Sequence, residues 1–181
     1  GISIFCKNNV KSNDFFFNLY GRQELITKEL KKHKINTSCY KVFDTNSVVS
    51  DDETPLTAIK NSKNSSMWNA INSQTLHKAN ISLSAGNTGV LLVISRMILK
   101  TMDEVSKPAL AGLWPNKKGV NVVLDLGANI ECDENNLVDF SEMGAALFKS
   151  LFPNETAKLA LLNIGSEEIK GTETIKKAYT K

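Results

Sequence analysis

Short apolar runs and helix-like segments alternate along this chain, and that alternation constrains its fold more than any other feature. Residues 15–20 are apolar and aromatic and end at Gly21, as a buried strand would. Residues 23–32 follow with helix-forming residues, and residues 39–43 predict a second strand. Strands joined by helices pair in parallel through crossover connections. The pattern therefore predicts an α/β fold with a doubly wound, mainly parallel sheet and helices on both faces.

The rest of the chain continues the alternation. Residues 64–66 offer N-caps for a helix that extends to about Lys78. Residues 90–101 are so uniformly apolar that they predict a largely buried helix. The other predicted elements are strands over 81–84, 108–114, 120–126 and 158–164 and helices over 137–151 and 173–181. No linker or repeat interrupts the 181 residues, which predicts a single α/β domain.

The charge balance argues against one large class of function. The chain has 22 Lys and Arg against 19 Asp and Glu, a formal net charge of +3. Only Arg22 and Arg96 are arginines, and the lysines are scattered among acidic residues instead of forming a stripe. Because arginine is the favoured residue for bidentate contacts to phosphates and guanine edges, we expect no nucleic-acid binding.

The cysteines and the apolar runs indicate a cytoplasmic protein. Cys6, Cys39 and Cys132 are far apart and in no metal-ligand spacing, which favours a reducing compartment. The longest uninterrupted apolar run, residues 90–94, is much shorter than the roughly 18 to 20 residues that span a bilayer. We therefore expect a cytoplasmic location without a metal site.

Three predicted strands end in turns of small residues. These are turn A (residues 84–89), turn B (residues 125–129) and turn C (residues 163–171). The carboxyl ends of parallel strands share one edge of a sheet, and amides exposed at helix starts bind anions. We therefore expect the turns to meet around one anion site, with turn A as a phosphate cradle. The alternative is that their glycines only make tight turns, since neither a Walker lysine loop nor a dinucleotide pattern is present.

The identity of the residues is more informative than their spacing. Six motifs resemble those of the PlsX family, the bacterial acyl-ACP:phosphate acyltransferases, and they occur in the same order along the chain. The motifs are Asn-Ser-Ser-Met (64–67), Ser-Ala-Gly-Asn-Thr-Gly (84–89), Lys-Pro-Ala-Leu-Ala (107–111), Leu-Asp-Leu-Gly-Ala-Asn (124–129), Met-Gly (143–144) and Leu-Leu-Asn-Ile-Gly-x-Glu-Glu-x-Lys-Gly (161–171). The resemblance extends from about Phe15 to the end and implies a Rossmann-like fold similar to isocitrate and isopropylmalate dehydrogenases.

The resemblance also implies a reaction. Inorganic phosphate attacks the thioester of a fatty acyl chain on acyl carrier protein and gives acyl phosphate for phospholipid synthesis. Because phosphate is itself the nucleophile, we expect no serine or cysteine triad, no metal and no cofactor. The same resemblance implies a homodimer with peripheral contact to the inner face of the membrane.

Site residues follow from the resemblance position by position. The family's Lys-Gly lysine falls on Lys170, which we expect to stabilise developing charge or to protonate the departing thiolate. Asn129 and Glu168 are further pocket candidates, and Asp125 fits either the pocket or a structural turn. The residues expected to hold phosphate are Ser84, Gly86, Asn87, Thr88 and Gly89.

The chain also departs from the family pattern. The basic run before Asn-Ser-Ser-Met is Lys60-Asn61-Ser62-Lys63, with half its charges replaced, and Pro115-Asn116 stands where the family has Pro-Thr. The family's opening strand with a Gly-Gly-Asp motif and its segment after the final helix are not in this sequence, which predicts a fragment of a longer chain. Three alternatives therefore stay open: a phosphotransacetylase-like enzyme, a related dehydrogenase, and a non-catalytic remnant that binds acyl carrier protein or membrane.

Overall fold

The described residues form two compact units, Gly1–Lys100 and Thr101–Lys181. A computed structural model describes residues 1–8, 15–54, 57, 59–60, 62–165, 167 and 169–181. The first unit contains α1 (Ile2–Asn8), β1 (Phe17–Gly21), α2 (Gln23–Lys32), a 3₁₀ turn (Thr37–Cys39), β2 (Tyr40–Asp44), α3 (Ser66–Thr75) and α4 (Thr88–Leu99). The second contains β3 (Gly112–Asn116), β4 (Gly119–Val123), α5 (Glu134–Leu151) and α6 (Glu173–Thr180).

The first unit opens with the parallel pairing that the sequence predicts. β1 pairs with β2 in parallel, in a register that places Phe17 opposite Tyr40, and α2 is the crossover between them. Asp44, at the end of β2, accepts a hydrogen bond from the backbone nitrogen of Gln23 at 2.8 Å, which fixes the start of α2. The predicted bounds of α2 are therefore confirmed, and those of β1 and β2 are confirmed to within two residues.

An apolar cluster in the first unit joins the two later helices. Ser65 caps α3 by accepting from the backbone nitrogen of Trp68. α4 contributes Val90 and Ile94, both 0% exposed, to a cluster completed by Val49, Met67 and Ile71. The predicted helix over residues 90–101 is thus correct in kind, but it begins and ends two residues earlier. It is also less buried than predicted, since Met97 and Leu99 are exposed.

Two predicted strands are not strands in the structure. Residues 81–84 are held to α3 by Ser82, whose hydroxyl donates to the carbonyl of Ala70 and accepts from Gln74, and they have no ladder partner among the described residues. Residues 158–164 also lie outside the strands, and Leu162 is 94% exposed. Apolar composition alone predicted strands here, but a strand needs a neighbour to bond.

The strands of the second unit form an antiparallel hairpin, whereas the sequence predicted a mainly parallel sheet. β3 and β4 are antiparallel, with Gly112 opposite Val123, and only Lys117 and Lys118 connect them. A two-residue connection can join only antiparallel strands, because a parallel crossover needs a dozen residues or more. β3 overlaps the predicted run over 108–114 but begins four residues later and ends two residues later. β4 overlaps the predicted run over 120–126 but begins one residue earlier and ends three residues earlier.

The helices of the second unit agree with the prediction more closely. α5 begins at Glu134 because Asp133 and Asn136 form a reciprocal capping box, three residues before the predicted start. It buries Phe140, and α6 buries Ala178. Helices with small parallel and antiparallel sheets confirm an α/β fold. Among the described helices, none has the length and apolar character needed to cross a bilayer.

Candidate functional site

Turn A is exposed and leads directly into α4, whose first turn contains a buried residue. Ser84, Thr88 and Gly89 are exposed, while the next residue, Val90, is 0% exposed. The Ser84 hydroxyl accepts from the backbone nitrogen of Gly86 at 3.2 Å. Asn87 caps α4, since its side-chain oxygen accepts from the Val90 nitrogen at 3.1 Å. The turn therefore presents the first amides of α4 at the surface, where the helix dipole favours an anion.

Asn87 also makes contacts that the sequence did not indicate. Its side-chain nitrogen donates to the backbone oxygens of Asp51 and Glu53, at 3.0 and 3.1 Å. These partners lie 36 and 34 residues away along the chain. Spacing gave no signal for this pairing, because nothing in the local sequence specifies which distant carbonyls an amide side chain will reach.

Gly86 lies close to Met67 of the Asn-Ser-Ser-Met motif. A Cβ atom at this position would lie 3.1 Å from the terminal methyl group of Met67, tighter than an ordinary contact. Glycine therefore allows turn A to approach α3 closely. Turn A also borders a groove of about 1090 Å³, whose apolar lining includes Leu19 of β1 and Met67.

Turn B is organised by the carboxylate of Asp125. It accepts from the backbone nitrogens of Leu110 at 2.8 Å, Asn129 at 2.8 Å and Ala128 at 3.3 Å, and from the Asn129 side chain at 3.0 Å. Burial raises the pKa of Asp125, but these hydrogen bonds together outweigh it and hold the pKa below its ordinary value. Of the two roles that the sequence left open for Asp125, the structural turn carboxylate fits these bonds.

Asn129 is engaged in the same network. Its side-chain nitrogen donates to the backbone oxygen of Pro108 at 2.8 Å as well as to Asp125. Both of its N–H groups therefore have partners, and its side-chain oxygen is the atom that remains for another group. Nearby Cys132 is half-buried, and burial raises the pKa of its thiol, which suits an incidental cysteine better than a nucleophile.

Turn C carries Lys170 at the surface. The backbone nitrogen of Lys170 donates to the backbone oxygen of Glu167 at 2.9 Å, and the Asn163 side chain donates to the backbone oxygen of Lys170. A Cβ on Gly165 would lie 3.0 Å from the Lys170 stem, so this glycine makes room for the lysine. Gly171 has a φ of +94°, a conformation that favours glycine. Within the described part of turn C, no carboxylate lies within ion-pairing distance of Lys170.

The structure places the predicted site residues in separate units. Turn A belongs to Gly1–Lys100, and turns B and C belong to Thr101–Lys181. Glu168 lies outside the described residues. Within turn A the structure brings Ser84, Gly86 and Asn87 into one hydrogen-bonded turn, and within turn B it joins Asn129 to Asp125. The meeting of all three turns around one anion stays a prediction.

The chain resembles a set of named proteins over nearly its whole length. A family model described as fatty acid synthesis protein matches residues 5–181. A phosphate acyltransferase of Pelagibacter ubique is 51% identical over 179 residues, 99% of this chain and 52% of the relative. Phosphate acyltransferases of Bartonella henselae and Ehrlichia ruminantium are 41% and 38% identical, over 91% and 99% of this chain.

These relatives are longer proteins. The chain covers 47% of the Bartonella protein and 53% of the Ehrlichia protein, so it spans about half the length of the curated relatives that it matches. The family model nevertheless includes all three turns and all six motifs. The chain therefore belongs to the fatty acid synthesis protein family, the PlsX family.

Proposed function

We propose that the protein carrying this chain is a phosphate acyltransferase that moves a fatty acyl group from acyl carrier protein to inorganic phosphate. The observation that carries the proposal is the 51% identity to a protein named phosphate acyltransferase over 99% of this chain. The acyl phosphate product would feed phospholipid synthesis. The relatives' names do not favour a dehydrogenase, a phosphotransacetylase-like enzyme or a non-catalytic remnant.

Turn A is the proposed phosphate site. Its support is the exposed start of α4, a helix of 12 residues, where the amides of Thr88 and Gly89 point out of the first turn. The Ser84 and Thr88 hydroxyls are exposed and add two further donors. Gly86 and Gly89 carry no side chain that would keep an anion away from the backbone. Asn87 belongs to the same turn.

Lys170 is the proposed catalytic residue. One phosphate oxygen attacks the thioester carbonyl carbon, which forms a C–O bond and a tetrahedral oxyanion. The C–S bond then breaks, and the departing thiolate takes up a proton. An exposed ammonium group can stabilise the oxyanion or supply that proton. Asn129 and Glu168 are proposed as further pocket residues, Asn129 through its side-chain oxygen.

The finer architecture is also a proposal. We infer that both units belong to one α/β domain with a doubly wound, Rossmann-like sheet, and that residues 81–84 and 158–164 join it as strands in the whole protein. Their exposed apolar side chains, such as Leu83 at 86% and Leu162 at 94%, support this inference. Leu19 of β1 and Leu83 line the same groove of about 1090 Å³. A cytoplasmic homodimer with peripheral membrane contact completes the proposal.

The test is a direct assay of the whole protein with long-chain acyl-ACP and phosphate. Acyl phosphate is detected by mass spectrometry, and the released thiol is measured alongside. We expect product in proportion to thiol, and no metal requirement. A folded protein that forms no acyl phosphate would reject the proposal.

Variants at one position test the assigned chemistry. Lys170→Ala is expected to lower kcat about 100-fold, because general acid or charge stabilisation is lost. Lys170→Arg keeps the positive charge but does not give up a proton near neutral pH, so it separates the two roles. Lys177→Ala, at an exposed position in the same unit, is the control. Equal turnover by Lys170→Ala would remove the role of Lys170 alone.

A further inference from the structure

The side chain of Asn87 has no donor left for a ligand. An amide side chain has two N–H donors and one carbonyl oxygen. The side-chain nitrogen of Asn87 donates to the backbone oxygens of Asp51 and Glu53, and its side-chain oxygen accepts from the backbone nitrogen of Val90. A phosphate ion could take a hydrogen bond from the Asn87 side chain only if one of these contacts broke.

The segment that Asn87 holds is a closed turn. The Glu53 nitrogen donates to the Ser50 oxygen at 3.2 Å, and the Ser50 nitrogen donates to the Glu53 carboxylate at 3.2 Å. The second carboxylate oxygen of Glu53 is buried and has no hydrogen-bond partner among the residues that the structure describes. We call Ser50, Asp51, Asp52 and Glu53 the acidic turn.

Asn87 joins two chain segments that lead into the same apolar cluster. The acidic turn follows Val49, which is 8% exposed, and Asn87 precedes Val90 by three residues. Val49 and Val90 belong to one cluster with Ile94. The hydrogen bonds of Asn87 therefore extend a packed region to the surface, at the point where turn A begins.

The capping bonds also decide which amides remain for an anion. The Val90 nitrogen is bonded to the Asn87 side chain, and the Leu91 nitrogen is bonded to the Asn87 backbone oxygen at 2.9 Å. The amides of Thr88 and Gly89 precede the first intrahelical bond. Their direction depends on the backbone at Asn87, and the acidic turn holds the side chain of that residue.

We infer that Asn87 is a positioning residue: it ties the acidic turn to the start of α4 and so aims the Thr88 and Gly89 amides at phosphate, without touching phosphate itself. This inference rests on the proposed role of turn A. It gives Asn87 a different part from the phosphate contact that the sequence predicted. It also gives the acidic turn a part in phosphate binding that acts through backbone carbonyls.

The test loosens this connection from both sides in the whole protein. Asn87→Ser keeps a good helix cap but cannot reach the acidic turn. Glu53→Ala removes the bond from the Ser50 nitrogen without changing any residue of turn A. The loss of a negative charge would by itself strengthen phosphate binding. Weaker phosphate binding in Glu53→Ala would therefore report a change in the position of the acidic turn. Glu53→Gln keeps an acceptor oxygen and is the matched control for charge.

We expect Asn87→Ser to raise the KM for phosphate by about tenfold and Glu53→Ala by about threefold, as lost hydrogen bonds of ordinary strength would. The double variant should be no worse than Asn87→Ser, because Glu53→Ala can affect turn A only through the Asn87 contacts that Asn87→Ser already removes. The kcat and the KM for acyl-ACP should stay unchanged, whereas a general loss of folded protein would lower kcat. Asn69→Ser, which removes a 3.0 Å amide-to-carbonyl bond at α3, should change neither KM.

Hydrogen exchange in the substrate-free protein gives an independent readout. The backbone amides of Ser50 and Glu53 should exchange about tenfold faster in Asn87→Ser. Unchanged exchange, or an Asn87→Ser effect on phosphate that adds to that of Glu53→Ala, would overturn the inference and favour direct contact. A protein with no turnover at all would reject the proposed function, while exchange would still decide whether Asn87 holds the acidic turn.

Discussion

The two units keep their turns in place by different means. In Gly1–Lys100, turn A is followed by α4, which packs into an apolar cluster through Val90 and Ile94. In Thr101–Lys181, turn B is organised by the charged group of Asp125, which gathers backbone amides from Leu110 to Asn129. The first arrangement should resist changes of pH and respond to changes of volume. The second should respond to changes of pH and be less sensitive to changes of side-chain volume.

The largest expected effect is a loss of volume in the first unit. Ile94→Ala removes a side chain that is 0% exposed, and it should lower the free energy of unfolding by about 2 to 5 kcal/mol. Met97→Ala, on the same helix at 47% exposure, is the control and should cost much less. Urea denaturation followed by circular dichroism measures both. If the two variants lose equal stability, the apolar cluster is not what supports α4.

A smaller effect is expected in the second unit. Asp125→Ala leaves the amides of Leu110, Ala128 and Asn129 without their acceptor, and should cost about 2 kcal/mol. Asp125→Asn keeps one acceptor oxygen and should cost less. Asp103→Ala removes an exposed carboxylate and is the control. An Asp125→Ala protein as stable as the parent in urea would show that turn B is held by other contacts.

The pH dependence should separate the units further. The pKa of Asp125 lies below its ordinary value, because the hydrogen bonds it accepts outweigh its burial. Its contribution is therefore fully present above the pKa of the unfolded chain, and it is lost as the pH falls through the lower, folded pKa. Acid titration of the urea midpoint should show this loss, and Asp125→Asn should remove that part of it. A parent and variant with parallel profiles would contradict the assignment.

Local features of the fold could be predicted from the sequence. The bounds of α2 and the cap at Ser65 follow from residue types within a few positions of each other. The two-residue connection between β3 and β4 also determined their antiparallel pairing, although the alternation of elements suggested a parallel sheet. Where a short turn and a global pattern disagree, the turn is the stronger constraint.

Distant pairings could not be predicted. Residues 81–84 have strand composition, yet Ser82 bonds to α3 through its side chain. Asn87 was singled out by its motif, but its partners at Asp51 and Glu53 lie beyond the range of any local pattern. The sequence therefore singled out the turns of the candidate site, and which of their side chains contact a ligand stays a prediction.

The smallest expected effect concerns Leu162, and it tests how far the contrast between the units extends. The side chain is 94% exposed, so Leu162→Ser in the chain of 181 residues should change the free energy of unfolding by no more than about 0.5 kcal/mol. In the whole protein, the proposed sheet would cover this side chain, and the same substitution should cost about 1.5 to 3 kcal/mol. Equally small effects in both would remove residues 158–164 from the sheet. A large effect in the shorter chain would mean that the second unit, like the first, depends on an apolar cluster.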